Sequence, residues 1–567
     1  MLRKTLPVIM AVVAVIASTA IKASPDKKNT PPTLTADEMS QLTESYGNVM
    51  YILQNYFVDT LDIKELAKNG FLGMLGKVDP YTEVYTEDNI DDLRSVVSGD
   101  YGGIGCAISL RDTNVVMSSP YYDSPAAKAG VRHGDILLKL DGQPIDKSNR
   151  DISDISSRLR GEPGTNVSVT VLRRWLPEGS DSILDITITR DKIKIDPLPY
   201  FTVLDDGIAY FNVSTFNKNT ASEIRREFAA MMARLGKELK GVILDLRSNG
   251  GGITSGATDL LSIFLPRGSH VYTARYRRYD AEATKTKKSP VDAKIPLAVI
   301  INDETASSSE IVAGAIQDLD RGVITGTRSF GKGLIQTSAS VGNNTVLKYT
   351  TGKYYLPSGR LIQALDYTSR DGRGRLTAAS DTVAPVFTTR AGRPVTGSRG
   401  ITPDVEMTSD TISDFTYTMY LSGVFDDYAN RYRNRSVSVP AVTDTFVTDS
   451  LINDFKNFID PDKIKYDRRS ENGISYLKSA ARYEKLDNDS VMQTLELLAR
   501  LMKHDFDRDF SAFEPEIRRT LETEIARRYF SDRDMSERVL PNDPIVEKTR
   551  LLLLDPKRYR EILTTKK

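Results

Sequence analysis

The stretch that most limits how this chain can fold runs from Pro296 to Gln336. Pro296-Leu-Ala-Val-Ile-Ile301 is a continuous apolar run of strand length, and Glu310-Ile-Val-Ala-Gly-Ala-Ile316 beyond it reads as a buried helix. Upstream, Asp206-Gly-Ile-Ala-Tyr-Phe-Asn-Val213 reads as a strand, and Ile224, Phe228, Met231 and Leu235 fall on one helix face. Gly241-Val-Ile-Leu-Asp-Leu-Arg247 reads as a second buried strand. Strand, helix, strand, helix, strand is the pattern of an α/β layer. Ser307 then falls on a strand-to-helix turn, where the first helical amides lack an intrahelical partner and carry partial positive charge. Such amides suit an oxyanion better than a neutral carbonyl, so a serine at this turn can attack with the amide of Ser308 behind it.

A serine hydroxyl needs a base to take its proton. The chain has only 3 histidines, none of them in this stretch. Lys332 sits in Phe330-Gly-Lys-Gly333, where small neighbours allow the backbone to pack closely around the amine. A lysine withdrawn from water loses preference for its charged form and becomes a general base near neutral pH. Gln336, four residues on, offers a side-chain oxygen to orient it. The plain alternative is a helix-capping serine and a surface lysine. Gly326-Thr-Arg-Ser-Phe-Gly-Lys332 also begins like a phosphate-binding loop. Gly333 stands where that loop needs Ser or Thr, and Leu334-Ile-Gln-Thr337 reads on as a strand, so nucleotide binding is rejected.

Thr305-Ala-Ser-Ser-Ser-Glu-Ile311, Gln317-Asp318, Arg321 and Gly326-x-x-x-Phe-Gly-Lys-Gly-x-x-Gln336 resemble the active-site block of the C-terminal processing peptidases, or tail-specific proteases. The resemblance implies that Ser307, rather than Ser308 or Ser309, is the nucleophile, with Lys332 at the family's separation from it. The flanking residues differ from the family's frequent Ser-Ala-Ser-Ala-Ser, but Ser307 is kept. It also implies a crotonase/ClpP-like α/β protease core. Asn249-Gly-Gly-Gly252 lies at a strand's carboxyl end, where open α/β sheets place ligands and glycines let a substrate backbone approach. By resemblance this segment supplies one oxyanion amide, from Gly251 or Gly252, and Ser308 the other. Gly70-Phe-Leu-Gly-Met-Leu75, Val78-Asp-Pro-Tyr-Thr82 and Gly400-Ile-Thr-Pro-Asp-Val405 extend the likeness over roughly residues 37–405.

Residues 100–190 have another character. Tyr101-Gly-Gly-Ile-Gly105 opens them, Ser124–Gly130 makes a short helix, and Val167, Val169, Val171 and Leu184, Ile186, Ile188 alternate as strands. This resembles a PDZ domain, in which a glycine-rich loop presents amides to a terminal carboxylate while a strand edge takes up the peptide. Gly102, Gly103, Ile104 and Gly105 are the expected peptide-binding loop. Arg160 is expected to pair with the carboxylate or to lock the module, and His133 to be structural. Met50, Leu53 and Phe57, then Leu66, Phe71 and Leu75, recur at helical spacing and read as plain core, although in several family members this region dimerises the chain. Val491, Leu495, Leu498 and Met502 mark a helix in the charged C-terminal region, which carries no catalytic motif.

The expected architecture is multidomain, α/β and α+β: signal peptide 1–23, linker 24–36, N-terminal helical region 37–96, PDZ domain 97–193, serine protease core 194–408 and C-terminal helical region 409–567. Arg3 and Lys4 before the apolar run Leu6–Ala20 read as a secretory signal, too short for the ~20 residues of a membrane span. The expected location is the periplasm or cell envelope, with membrane contact only at the periphery or through an uncleaved signal. Net charge is +0 over 567 residues, which gives no pull toward nucleic acid. Cys106 is the only cysteine, so no intrachain disulfide forms, and with so few histidines no metal or other cofactor is expected. The function read from this is a serine endopeptidase with a Ser307-Lys332 dyad acting on proteins with accessible C-termini. An adaptor and a homo-oligomer are left open. An inactive PDZ-containing scaffold and a crotonase-like acyl enzyme are the alternatives.

Overall fold

The computed structural model describes residues 34–564 apart from 77, 87–88, 147–150, 176–180, 343, 371–375, 379–383, 409–411, 436–439, 467 and 504. The expected signal, most of the linker and His504 lie outside the described residues. The chain divides into two compact units, one made of Met1–Gly99, Asp196–Met407 and Lys548–Lys567, the other of Asp100–Ile195 and Thr408–Glu547.

The first unit is built on a six-stranded sheet in the order Tyr200–Leu204, Ile208–Asn212, Gly241–Asp245, Leu297–Ile301, Val323–Gly326, Val405–Glu406. The first pair is antiparallel and the rest are parallel. The strands Gly241–Asp245, Leu297–Ile301 and Val323–Gly326 are buried along their whole length, which is why Leu297–Ile301 reads as an unbroken apolar run. Helices Thr220–Leu235, Thr254–Leu261 and Ser308–Asp318 cover the sheet, with Phe211, Phe228 and Phe264 meeting ring against ring beneath them. The strand Leu334–Gly342 pairs with Thr345–Tyr355 in a second sheet that also holds Glu83–Tyr85, His270–Tyr276 and Glu282–Lys285. The chain's last stretch packs here too, because the Tyr559 hydroxyl bonds both the amide and the carbonyl of Leu297, at 3.0 and 3.1 Å.

A buried ionic network closes this core. Arg360 pairs with Asp318 at 2.8 Å and donates to Gln317 Oε1 at 2.7 Å, while Gln317 donates to the Thr402 carbonyl and to Asp404. Asp404 also accepts from Arg393 and from the Ile324 amide. The Gln317-Asp318 and Gly400–Val405 segments are therefore two sides of one clamp on the helix that begins after Ser307.

The N-terminal helices Ala36–Tyr56 and Ile63–Leu75 correct the core reading of Met50 and its neighbours. No residue of either helix is buried, and Leu42, Tyr46, Val49, Ile52, Tyr56 and Phe57 are exposed. Spacing marks an apolar face without saying what covers it.

In the second unit, the strands run in the order Cys106–Arg111, Asn114–Pro120, Asp135–Leu140, Asn166–Arg173, Ser182–Thr189, with the helix Ile152–Leu159 on the sheet. Val167, Val169, Val171 and Ile188 point into its core, as their alternation requires. Cys106–Arg111 is an edge strand. The same unit holds a helical module cored by Phe415, Phe425, Phe455, Ile517, Leu521 and Ile525. Asp426 joins the two parts: it meets His133 at 2.6 Å, Arg111 at 3.0 Å and Arg528 at 2.5 Å. Burial opposes its charge, but the surrounding His133, Arg528 and Arg111 outweigh that and hold the carboxyl well below the usual range. The helix Asp489–Leu501 forms where the spacing of Val491, Leu495 and Leu498 places one, yet buries none of its residues.

Candidate active site

The buried strand Leu297–Ile301 ends in a turn whose shape is fixed by Thr305. Its hydroxyl donates to the Leu246 carbonyl at 2.8 Å and accepts from the Asn302 amide at 2.9 Å. Ser307 follows with φ 56° and ψ −114°, outside the regions open to a side chain without strain, and the helix starts at Ser308. Such a conformation costs about 1–3 kcal/mol and survives only where surrounding bonds over-determine it. Here the Ser307 amide donates to Glu310 Oε2 at 2.9 Å, its carbonyl accepts from the Ile311 amide at 3.0 Å, and Ala306 donates to the Asn249 carbonyl at 3.0 Å.

Glu310 has no exposed surface. The oxygen that binds the Ser307 amide also binds the Lys332 amide at 2.8 Å, and its other oxygen accepts from Ser329 Oγ at 2.6 Å and the Gly331 amide at 2.7 Å. Burial pushes its carboxyl up to about 7 against the pull of these donors. One carboxylate thus fixes two backbone segments that are distant in sequence. Tyr354 adds a second tie, its hydroxyl lying 2.5 Å from the Lys332 carbonyl and 3.2 Å from that of Ser307.

Burial lowers the pKa of the Lys332 amine, and Lys348 adds to this, while Glu83, Asp79 and Glu310 act against it. The Nζ atom lies 4.1 Å from the centroid of the Tyr81 ring. That ring is held in turn by Asp79, which accepts from the Tyr81 amide and from Thr82, and by the Tyr367 hydroxyl at 3.1 Å. Gly331 and Gly333 let this loop close: a Cβ on Gly331 would stand 2.5 Å from Ala364 Cβ, and one on Gly333 would stand 2.9 Å from Leu361. Close packing around the amine is met by geometry.

The Asn249–Gly252 loop is stitched to the serine turn. Ser309 Oγ donates to the Asn249 carbonyl at 2.9 Å and Ser308 Oγ to the Gly252 carbonyl at 2.8 Å. A Cβ on Gly251 would lie 3.0 Å from the Ser308 nitrogen and 2.9 Å from Ser307 Cβ. The Gly251 amide donates to Asn249 Oδ1 at 2.9 Å, and its carbonyl accepts from Phe216. In a trans peptide the next amide points opposite to that carbonyl, so the Gly252 N–H faces away from Phe216. Asp245, at the end of the strand leading here, is bound by Tyr210 at 2.7 Å and by Arg247.

The structure therefore brings Ser307, Ser308, Gly251, Gly252 and the Lys332 backbone together. Among the described residues no hydrogen bond joins the Ser307 hydroxyl to Lys332 Nζ, and none joins Gln336 to Lys332. Gln336 donates instead to Thr350 Oγ1 across the strand pair, at 3.3 Å. Glu310, Tyr354, Tyr81 and Asp245 were not read as site residues from the chain. Glu310 and Tyr81 lie inside motifs singled out above, and the Ser307-x-x-Glu310 spacing of a helix capping box is the available signal for the carboxylate.

In the second unit, Gly102 and Gly103 are not open loop residues: they form an antiparallel ribbon opposite Lys192 and Asp191. Ile104 is buried, and its carbonyl accepts from Ala126. Gly105 turns the chain at φ 66° into the edge strand. The Arg160 guanidinium lies over the Tyr101 ring at 4.6 Å, between the ribbon and the end of helix Ile152–Leu159.

Residues 207–369 match the sequence profile of peptidase family S41, residues 116–173 that of a PDZ domain, and residues 415–553 that of the C-terminal helical domain of a probable PDZ-protease. The chain is 35% identical over 324 residues to a carboxy-terminal-processing protease of Bartonella bacilliformis, covering 57% of this chain and 73% of that one. It is 29% identical over 357 residues to a probable CtpA-like serine protease of Staphylococcus haemolyticus, covering 62% and 69%. Among solved structures, the photosystem II D1 C-terminal processing protease is 25% identical with a TM-score of 0.38, over 66% of this chain and 88% of that one.

Proposed function

Because the chain belongs to the carboxy-terminal-processing proteases, serine-type peptidases of family S41 with a PDZ domain, we propose that Ser307 is its nucleophile and Lys332 its general base. Ser307 Oγ attacks the scissile carbonyl as Lys332 takes its proton. The same amine then protonates the leaving nitrogen, and water, deprotonated by Lys332, hydrolyses the acyl-enzyme. The developing oxyanion is met by the Ser308 amide and an amide of the Gly251-Gly252 pair. Gly252 is favoured, since the Gly251 N–H is taken by Asn249. Gln336 orients Lys332 once the side chains close.

The observation that carries this reading is the single Glu310 oxygen shared by the Ser307 and Lys332 amides, which sets the two residues side by side before any substrate arrives. The missing hydrogen bond between their side chains favours a second reading, a resting or inactive scaffold. Catalytic hydrogen bonds are often made only when substrate is bound, so side-chain rotation suffices to complete the dyad.

The PDZ domain presents the tail of a loosely folded envelope protein to this site, the edge strand Cys106–Arg111 taking up the last residues and the Ile104-Gly105 turn meeting the carboxylate. Arg160 supports that turn. The exposed apolar side of helix Ala36–Tyr56 is covered by a second copy of the chain, and an adaptor is a further partner. The basic and apolar start of the chain directs it across the inner membrane to the periplasm or cell envelope.

Cleavage of an unfolded protein with an apolar C-terminus tests the reading. The parent should cut, and Ser307→Ala and Lys332→Ala should lose roughly 10²–10⁴-fold or more in rate while remaining folded. Continued cutting by Ser307→Ala rules out this nucleophile, and a parent that cannot cut supports the scaffold.

A further inference from the structure

A cavity of about 480 Å³ opens in the second unit, between the loop and short helix that follow strand Asn114–Pro120 and the residues around Arg527–Phe530 of the helical module. Its volume is in the range of small-ligand sites, roughly 300–1,000 Å³. The Ile104-Gly105 turn, the edge strand Cys106–Arg111 and the helix Ile152–Leu159 contribute no lining residue, so it is separate from the expected tail-binding groove.

Its lining is strongly cationic, with Lys128, Arg132, Arg433, Arg527 and Arg528 set among the rings of Tyr529 and Phe530. Asp123, the one carboxylate among the lining residues, pairs with Lys128 at 3.1 Å, and the carboxylates nearby are already shared. Asp426 serves Arg111, His133 and Arg528, and Glu524 serves both Arg527 and Arg528. Asp135 is held in a two-armed pair by Arg173. Arg132 has no carboxylate within ion-pair distance among the described residues, and its guanidinium donates only to Asn434, at 3.0 Å. It is partly withdrawn from water and crowded by Arg173 and Arg433, which lowers its pKa. Positive charge held together in this way is relieved by an anion from outside. Burial likewise lowers the pKa of His133, which keeps the ring out of this balance near neutral pH.

We propose that this cleft is a second peptide site, which binds an acidic segment of a polypeptide through the carboxylates of its Asp and Glu side chains. Polypeptides are what a peptidase meets, and the aromatic rings beside the guanidinium groups give the aliphatic parts of such a segment a surface. The site adds a requirement on the interior sequence of a bound protein to whatever the PDZ groove reads at its end.

Fluorescence anisotropy with the full chain tests this, using a labelled Glu/Gly peptide with both ends blocked so that no terminal carboxylate is present. The peptide should bind, its Gln/Gly counterpart should not, and binding should weaken with salt. Arg132→Gln should weaken it about tenfold. Arg527→Glu should do the same, and its side chain, 54% exposed, can be changed without unfolding the module. Equal binding of the Gln/Gly peptide overturns the proposal. So does unaltered affinity in a folded Arg132→Gln or Arg527→Glu chain, and so does binding of inorganic phosphate without binding of the Glu peptide.

Discussion

A carboxylate with no exposed surface and four hydrogen-bond donors is under two opposed demands. Burial favours the neutral Glu310, while the amides of Ser307, Gly331 and Lys332 need an acceptor. Since its folded pKa of about 7 lies above the ordinary 4.5, the native state binds more protons than the unfolded state between those values. Stability therefore falls as pH rises through that window, by on the order of 3 kcal/mol, and urea unfolding across it reads the slope directly. Glu310→Gln should abolish the slope. It should also cut turnover about a hundredfold, because a carboxamide turns its NH₂ toward donors and shifts the two segments it holds. For Lys332 the shift is downward, so activity should rise with pH as the amine loses its proton. Lys332→Arg, which keeps its charge at every working pH, should be inactive in the same assay over the whole range.

The helix Ser308–Asp318 places Ser307 at one end and is clamped at the other. Arg360, 0% exposed, bridges Asp318, Gln317 and the Thr396 carbonyl. Arg360→Met keeps much of the volume but leaves Asp318 charged and buried without its partner. It should lower stability by about 3–5 kcal/mol in denaturant unfolding, with the larger effect on folded population rather than on KM. Asp404, in the Gly400–Val405 segment remote from the serine, completes this clamp through Gln317 and Arg393.

At the scale of the whole molecule, helix Ala36–Tyr56 of the first unit carries an exposed apolar face among the described residues. Exposure of Leu42, Val49, Ile52 and Tyr56 along one helix exceeds what scattered surface residues need explaining, and a second copy offers the same surface in return. Val49→Asp with Ile52→Asp should convert a dimer to a monomer by light scattering without lowering the unfolding midpoint of the core. A parent that is already monomeric at high concentration removes this reading.

What the sequence determined by itself was everything local in period. The apolar run Leu297–Ile301 became a buried strand, Val167, Val169 and Val171 alternated into a core, and the serine turn fell between strand and helix, because side-chain spacing of 2.0 or 3.6 is a property of a single segment. What only the tertiary structure decided was which segments meet. Gly102 and Gly103 became a ribbon because Asp191 and Lys192 lie opposite them. The helices holding Met50 and Val491 formed as their spacing requires but buried nothing, since spacing marks an apolar face and not what packs on it. Gln336 turned to Thr350, and Glu310, Tyr354 and Tyr81 became the frame of the site. The bond from Glu310 to the Ser307 amide spans three residues and is local, but those that tie Glu310 to Gly331 and Lys332, Tyr354 to Lys332 and Tyr367 to Tyr81 span 21 to 286 positions, and the burial that shifts a pKa is not written in the neighbouring letters.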